Sequence, residues 1–166
     1  MTEKPGIVEL TNELIFQRYR MDHGKLRQYF EDLNIPEYIA LHIIASAASD
    51  NALHAGKTYL QDIADKMQIS MRRTSKLVGD LQDKGFVRWA HDGNGDDGTY
   101  VVITDSGTTL MNDQEQQLKA YYGRVIETYG KDNMIQLLRL LAQLETVMNS
   151  ELEGTEDLSD VDRTDA

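Results

Sequence analysis

The chain has 166 residues, a formal net charge of −11, a sequence pI near 4.7 and no cysteine. This length suits one domain with a hydrophobic core and an extension, and the lack of cysteine excludes disulfides, thiol catalysis and cysteine zinc sites. No apolar run reaches the ~18 residues of a membrane span, and the N-terminus lacks the pattern of a secretory signal. We therefore expect a cytoplasmic protein that does not enter a membrane.

The first half of the sequence shows apolar residues at helical spacing. They predict a first helix from Ile7 to Leu33 and a second helix that begins near Pro36 and ends at Ser49. Proline is common in the first turn of a helix, which supports that start. Residues 50–57 contain glycine, asparagine and alanine and are predicted to form a loop.

The middle of the sequence predicts two short helices followed by a hairpin. Thr58 can cap the first of these helices, Ser70 can cap the second, and Gly85 can close the second as a left-handed residue. Two β-prone runs, residues 86–90 and 100–104, follow on either side of a loop rich in turn formers. This order is typical of a winged helix-turn-helix.

The C-terminal third predicts two long helices and a tail. Thr104 or Asp105 caps the first long helix, which Gly130 ends, and the second runs from Asp132 to about Leu152. The apolar arc of the second helix is too wide for one small core, so we expect it to face a second chain as well. Residues 153–166 offer little apolar surface and are predicted to be disordered.

The charge is unevenly distributed along the chain. Residues 151–166 carry seven acids against one base, whereas residues 57–90 carry seven bases and four acids. A basic segment within an acidic chain indicates a nucleic-acid partner better than the total charge does.

The helix that begins after Ser70 has the side chains that DNA recognition requires. Arginine can pair with two acceptors of guanine, and lysine, serine and threonine hold phosphates or bases. In a winged helix-turn-helix this helix lies in the major groove, and the hairpin reaches the flanking groove or backbone. The candidate DNA-binding residues are Ser70, Arg72, Arg73, Thr74, Ser75, Lys76 and Arg88.

Three segments carry a resemblance to a known family: the stretch from Leu60 to Arg88, the run Leu77-Val-Gly-Asp-Leu81 within it, and Ile103-Thr-Asp-Ser-Gly107 after it. They resemble the MarR family of bacterial transcriptional regulators, over about residues 10–150. The resemblance implies a mostly α fold with a small β-hairpin wing and long terminal helices that form a homodimer interface. It also implies a repressor that binds a pseudo-palindromic DNA operator and responds to a small-molecule effector.

The resemblance divides the chain into four parts. Residues 1–34 would form an N-terminal dimerisation helix, residues 35–104 the DNA-binding region and residues 105–152 the C-terminal dimerisation helices. Residues 153–166 would be the acidic tail.

The wing departs from the family pattern. Members of the family usually carry an Asp-x-Arg element there, but residues 92–98 contain three acids and no base. Acids near phosphate repel it, and electrostatics supplies a large share of DNA affinity. Two functions therefore remain open: a DNA-binding regulator, or a dimer of this fold that has weakened or lost DNA binding and binds another protein.

Other chemistry finds little support in the sequence. The four histidines, His23, His42, His54 and His91, lack the spacing of metal ligands, and we expect no metal and no cofactor. Asp92, Asn94 and Asp96 alternate as in a calcium loop, but the acid at the last loop position is missing. No catalytic constellation can be named, so we do not expect an enzyme. Tyr121, Tyr122 and Tyr129 are expected either to pack in the dimer or to line an effector pocket.

Overall fold

The structure is a computed structural model that describes residues 4–22, 28, 30, 32–49, 56–93 and 98–161. The described helices are α1 (Ile7–Asp22), α2 (Ile35–Ser49), α3 (Leu60–Met67), α4 (Met71–Asp83), α5 (Asp105–Tyr129) and α6 (Lys131–Val161). The described strands are β1 (Thr58–Tyr59), β2 (Val87–His91) and β3 (Thr99–Ile103). This architecture confirms the predicted fold class, mostly α with a small β wing.

The chain forms two compact units, Met1–Gln117 and Leu118–Ala166, and the boundary between them in the sequence falls within α5. The core of the first unit joins α2, α3 and α4 to the inner face of the sheet. The largest side chains that are fully buried there are Leu41, Ile44, Ile63, Val78, Leu81, Val87 and Val101. The amphipathic pattern of α3 and α4 explains this core, because each turns one apolar face toward α2 and the strands.

A partly buried ion pair joins the end of α4 to the start of α2. Asn34 and Glu37 cap α2 reciprocally, with backbone N–H groups donating to the other residue's side chain at 2.8 and 2.9 Å. Glu37 is only 3% exposed, and Lys84 Nζ donates to its two carboxylate oxygens at 2.7 and 2.9 Å. Lys84 also donates to the Asp32 carbonyl, so its three donors are all used.

The sheet has three strands in the order β1-β3-β2, all antiparallel. Thr58 pairs with Val101 in this sheet, so the prediction that Thr58 caps α3 is wrong. Tyr59 takes the cap position in an extended conformation, and its N–H donates to the Asp62 carboxylate at 3.3 Å. The strand was missed because two residues carry no periodicity, and their pairing depends on an edge of β3 that lies far along the chain.

The start of α5 packs closely on the backbone that precedes β2. Thr104 caps the helix by accepting from Gly107 N–H at 3.1 Å, and its hydroxyl donates to the Gly85 carbonyl at 2.7 Å. A Cβ at Gly107 would collide with the carbonyl oxygen of Phe86 and lie 2.9 Å from Ile103 Cγ1. Glycine is therefore required here, which gives a physical reason for the Thr-Asp-Ser-Gly run.

The helices at the two ends of the chain expose apolar side chains. No residue of α1 is buried, and its described part runs to Asp22, with residues 23–27 outside the described part. The predicted helix does not extend to Leu33, because residues 30, 32 and 33 are not helical. The exposed apolar residues of α6 are Ile135, Leu137, Leu138, Leu140, Leu141, Leu144, Val147, Met148 and Leu152.

The last helix continues beyond its predicted end. Helix α6 runs to Val161, so the prediction of disorder is wrong for residues 153–161, and residues 162–166 lie outside the described part. Extending an existing helix adds a hydrogen bond for each residue ordered and avoids the cost of a new nucleus. Helix formation here does not need the buried apolar surface whose absence suggested disorder.

Candidate nucleic-acid interface

A short turn sets the direction of α4 relative to α3. Gln68 ends α3 in the left-handed region (φ 52°), and Ile69 N–H donates back to the Ala64 carbonyl at 3.1 Å. Ser70 then begins α4, and its Oγ accepts from Arg73 N–H at 3.3 Å. The predicted N-cap at Ser70 is confirmed, as is the left-handed Gly85 (φ 81°) that follows α4.

Helix α4 has one buried face and one charged face. Leu77, Val78 and Leu81 pack into the core, and Arg72, Arg73 and Lys76 are exposed. Neither Arg72 nor Arg73 has an ion-pair partner among the described residues. Two guanidinium groups thus stand exposed in the first turn of the helix, where the helix dipole also favours an anion.

Thr74 does not belong to the exposed face. Its side chain is fully buried, and its hydroxyl donates to the Ser70 carbonyl at 3.0 Å. The structure thus corrects the expectation that Thr74 contacts DNA, because helical spacing places it with the core residues Leu77, Val78 and Leu81. Ser75 is partly exposed.

The second half of α4 is acidic, a feature that the sequence analysis did not use. Lys76 Nζ lies 2.9 Å from Asp80 Oδ2, with the two side chains 78% and 43% exposed. Asp83 follows one turn later and is also exposed. The basic residues of α4 therefore occupy its first two turns, and Lys76 already has a carboxylate partner.

Gly79 lies in the interior of α4 between these charged turns. Its φ is not positive, and a Cβ added there would meet nothing within 4 Å. An interior helical glycine costs about 1 kcal/mol relative to alanine, and no contact among the described residues requires it. The sequence signal was available, since glycine is uncommon inside a helix, but only the structure shows that the space around it is open.

Arg88 lies on β2 and is exposed, opposite Val102 of β3. At the base of the wing, Tyr59 Oη donates to Asp92 Oδ2 at 3.0 Å, and this hydrogen bond raises the pKa of Tyr59. Lys57 Nζ lies 4.8 Å from the centre of the Tyr100 ring. Residues 94–97, which hold two of the three acids of the wing, lie outside the described part of the chain.

A cavity of about 470 Å³ opens in the first unit between α2, β3 and the first turns of α5. His42 Nδ1 lies 3.4 Å from Glu115 Oε1 at its wall, and the His42 ring stacks on Tyr38 with 6.2 Å between centroids. Burial, with a smaller contribution from Glu115, raises the pKa of Tyr38. Ala45, Ile103 and Met111 supply apolar wall, so the cavity combines polar and apolar surface.

The remaining sequence candidates can be placed in part. Among the described residues, no group of three or more histidines, cysteines and acids could hold a metal ion. His91 Nδ1 accepts from Gly93 N–H at 2.9 Å, and His23, His54, Asn94 and Asp96 lie outside the described part.

Tyr121 and Tyr122 contact each other edge to face at 5.1 Å, and burial raises the pKa of Tyr122. In the described part of the chain, no helix has the length and apolar character that a membrane span needs.

Comparison with known proteins gives structural matches only. No protein-family model and no curated protein matches the sequence. A MarR family regulator from Neisseria meningitidis is 16% identical with a TM-score of 0.67, over 91% of this chain and 99% of that one.

Two other matches are proteins whose DNA binding or effector is known. BpsR of Bordetella bronchiseptica, whose DNA binding is regulated by 6-hydroxynicotinic acid, is 13% identical with a TM-score of 0.67, over 86% of this chain and 98% of that one. A mutant MarR from E. coli complexed with operator DNA is 16% identical with a TM-score of 0.66, over 84% and 99%. These likenesses confirm at the level of the fold what the sequence resemblance suggested: the chain has the fold of the MarR family regulators.

Proposed function

We propose that the protein is a DNA-binding transcriptional regulator that acts as a homodimer, with α4 as its recognition helix. The observation that carries this proposal is the pair of exposed guanidinium groups of Arg72 and Arg73, which have no ion-pair partner among the described residues. Arginine is the side chain best suited to guanine edges and phosphates. Lys76 and Arg88 add exposed cations, and Ser70 and Ser75 add hydroxyls.

The dimer is proposed from the apolar surface of the terminal helices. The nine exposed apolar residues of α6 and the exposed apolar side chains of α1 exceed the scattered apolar residues of an ordinary monomer surface. A second copy of the chain would bury them. A two-fold dimer also presents two recognition helices, which fits a pseudo-palindromic operator of two half-sites.

The cavity beside His42 and Glu115 is the proposed effector site. It lies between α2, which belongs to the proposed DNA-binding region, and the part of α5 in the first unit, which follows that region directly in the chain. A ligand that fits only one arrangement of these helices would shift the population toward that arrangement. Such a shift would change the spacing of the recognition helices and release DNA, as a repressor requires.

The test is selection of bound fragments from the source genome, followed by affinity measurements on the selected site. Arg73→Ala should weaken binding by about 5- to 150-fold if it makes a bidentate base contact. Arg139→Ala removes the same charge from α6 and serves as the matched control, with little effect expected. If no fragment is selected and the protein passes through heparin unretained, the proposed function is wrong.

The acidic wing sequence supports a second candidate function. Three acids and no base between residues 92 and 98 suit a surface that binds a basic protein better than one that binds phosphate. In that case the protein would be a dimer of this fold that binds another protein. This candidate is favoured if the protein does not bind DNA but binds a basic protein, and if Asp92→Asn weakens that binding.

A further inference from the structure

The face of α4 that the core does not use contains one position without a side chain. Arg72, Lys76 and Gly79 follow one another at spacings of four and three residues, which places them along one side of a helix. The core residues Leu77 and Leu81 lie on the other side. Gly79 therefore lies in line with two of the proposed DNA contacts.

Among the described glycines, Gly79 and Gly123 combine a helical backbone with open space, and only Gly79 lies on the helix that carries the proposed DNA contacts. Gly56, Gly85, Gly93 and Gly130 have positive φ angles, and Gly107 has no room for a Cβ. At Gly79 the backbone is helical and the space is open, so the fold itself would accept alanine. Glycine at such a position lowers helix stability by about 1 kcal/mol relative to alanine, and no contact among the described residues offsets this loss.

On the face of α4 that carries the exposed cations, a molecule that approaches the helix closely would offset this loss. Glycine is used where a ligand comes close to the backbone, because no Cβ keeps it away. The major groove is about 12 Å wide and an α-helix with side chains is about 10–12 Å across, so a helix in the groove has little clearance. Removing one side chain on the inward side lets the helix lie deeper.

We propose that Gly79 is the point of closest approach between α4 and the base-pair edges, and that it determines specificity by letting the helix reach its full depth in the groove. The inference rests on the proposed function. It assigns to Gly79 a steric role, in which the absence of a side chain lets Arg72, Arg73 and Lys76 reach their partners on the DNA. Non-specific complexes, held mainly by phosphates, need this depth much less.

The experiment compares Gly79→Ala and Gly79→Gln with the unmodified protein on the selected site and on a random duplex. Both variants should raise the melting temperature by a few degrees, because each improves helix propensity in open space. Both should bind the selected site at least ten-fold more weakly and change random-duplex affinity less than about two-fold. Gly123→Ala makes the same change at another helical glycine with open space and should leave affinity per dimer unchanged, with the dimer checked by sedimentation.

The outcomes separate this inference from the proposed function. If the unmodified protein binds a selected site and Gly79→Ala binds it equally well, the role of Gly79 is wrong and the proposed function stands. An equal loss on both duplexes, or a lower melting temperature for Gly79→Ala, would also overturn the role of Gly79. If the unmodified protein selects no DNA site, the proposed function itself is wrong, and the role of Gly79 falls with it.

Discussion

Two threonines buried in the first unit differ in what their hydroxyl groups contact. The Thr74 hydroxyl donates to the Ser70 carbonyl, whereas the Thr58 Oγ1 is buried with no hydrogen-bond partner among the described residues. A buried polar group without a partner loses its hydration and gains nothing in return. The sequence could not distinguish the two, because their difference depends on strand β1 and on the face of α4.

Replacing each threonine by valine should therefore change stability in opposite directions. Thr58→Val removes an unpaired hydroxyl at nearly constant shape and should raise the free energy of unfolding by about 1 kcal/mol. Thr74→Val breaks a hydrogen bond and leaves the Ser70 carbonyl with one bond fewer, so it should lower that free energy by about 1 kcal/mol. Denaturant unfolding of both variants measures the two changes. Destabilisation by Thr58→Val would show that its hydroxyl has a partner.

At the scale of elements, long-range contacts of single residues hold the winged helix-turn-helix of residues 35–104 together. The Lys84–Glu37 ion pair joins residues 47 apart in the chain and links α4 to α2. The close contact of Gly107 with Phe86 sets the start of α5 against the entry to β2. These links position α4, and a change in α2 or α5 can reach it through them.

The loss of Lys84 should be costly. Lys84→Met leaves the Glu37 carboxylate buried with the Asn34 N–H as its one remaining donor among the described residues, so we expect a loss of about 1–3 kcal/mol in the free energy of unfolding. Lys76→Met is the matched control, because it breaks an exposed pair and should cost less than about 0.5 kcal/mol. Thermal and denaturant unfolding compare the two. Equal small losses would mean that Glu37 finds water as a partner.

Gly107→Ala should destabilise the first unit. The added methyl group would collide with the Phe86 backbone carbonyl, which cannot move away as a flexible side chain could, so we expect a loss of about 1–3 kcal/mol. Gly123→Ala, at a helical position with open space, should instead stabilise the protein by about 0.5–1 kcal/mol. A stable Gly107→Ala protein with unchanged unfolding would contradict the close packing at the start of α5.

The sequence predicted what local chemistry determines and missed what distant contacts determine. Ser70 and Gly85 were found because a helix cap and a left-handed closing residue have their signature within a few residues. The helix beyond Leu152 was not predicted, because the lack of apolar residues there indicates little burial, whereas extending a helix does not require burial. In the candidate site, Arg72, Arg73 and Lys76 are exposed as predicted and Thr74 is not, since its hydroxyl suggested function while its helical position dictated burial.

At the scale of the whole molecule, the apolar surface of α6 is the strongest indication of a partner. Burying it would contribute about 25 cal/mol for each Å² removed from water, less the entropy lost in association. A single substitution in α6 tests the proposed dimer.

Leu141→Glu should disrupt the proposed dimer. It places a charge within the apolar arc of α6, where a second chain would leave it without water, so we expect monomer or aggregate. Gln143→Glu adds the same charge to α6 outside the apolar series and should leave the dimer intact. Sedimentation at micromolar concentration measures both. A well-folded monomer for the unmodified protein would overturn the dimer.

The Lys76–Asp80 pair has a consequence for the ions around DNA. Each phosphate that a protein cation neutralises releases condensed counterions, so the slope of log affinity against log salt counts the cations engaged, at about −0.9 per charge. If the pair persists on DNA, Arg72, Arg73 and Arg88 count fully and Lys76 does not, so a dimer should show a slope of about −5. Asp80→Asn should free two lysines per dimer and steepen the slope to about −7, whereas Asp113→Asn on α5 should leave it unchanged. An unchanged slope for Asp80→Asn would mean that Lys76 already exchanges its carboxylate for phosphate, and that this acid does not limit the hold of the protein on DNA.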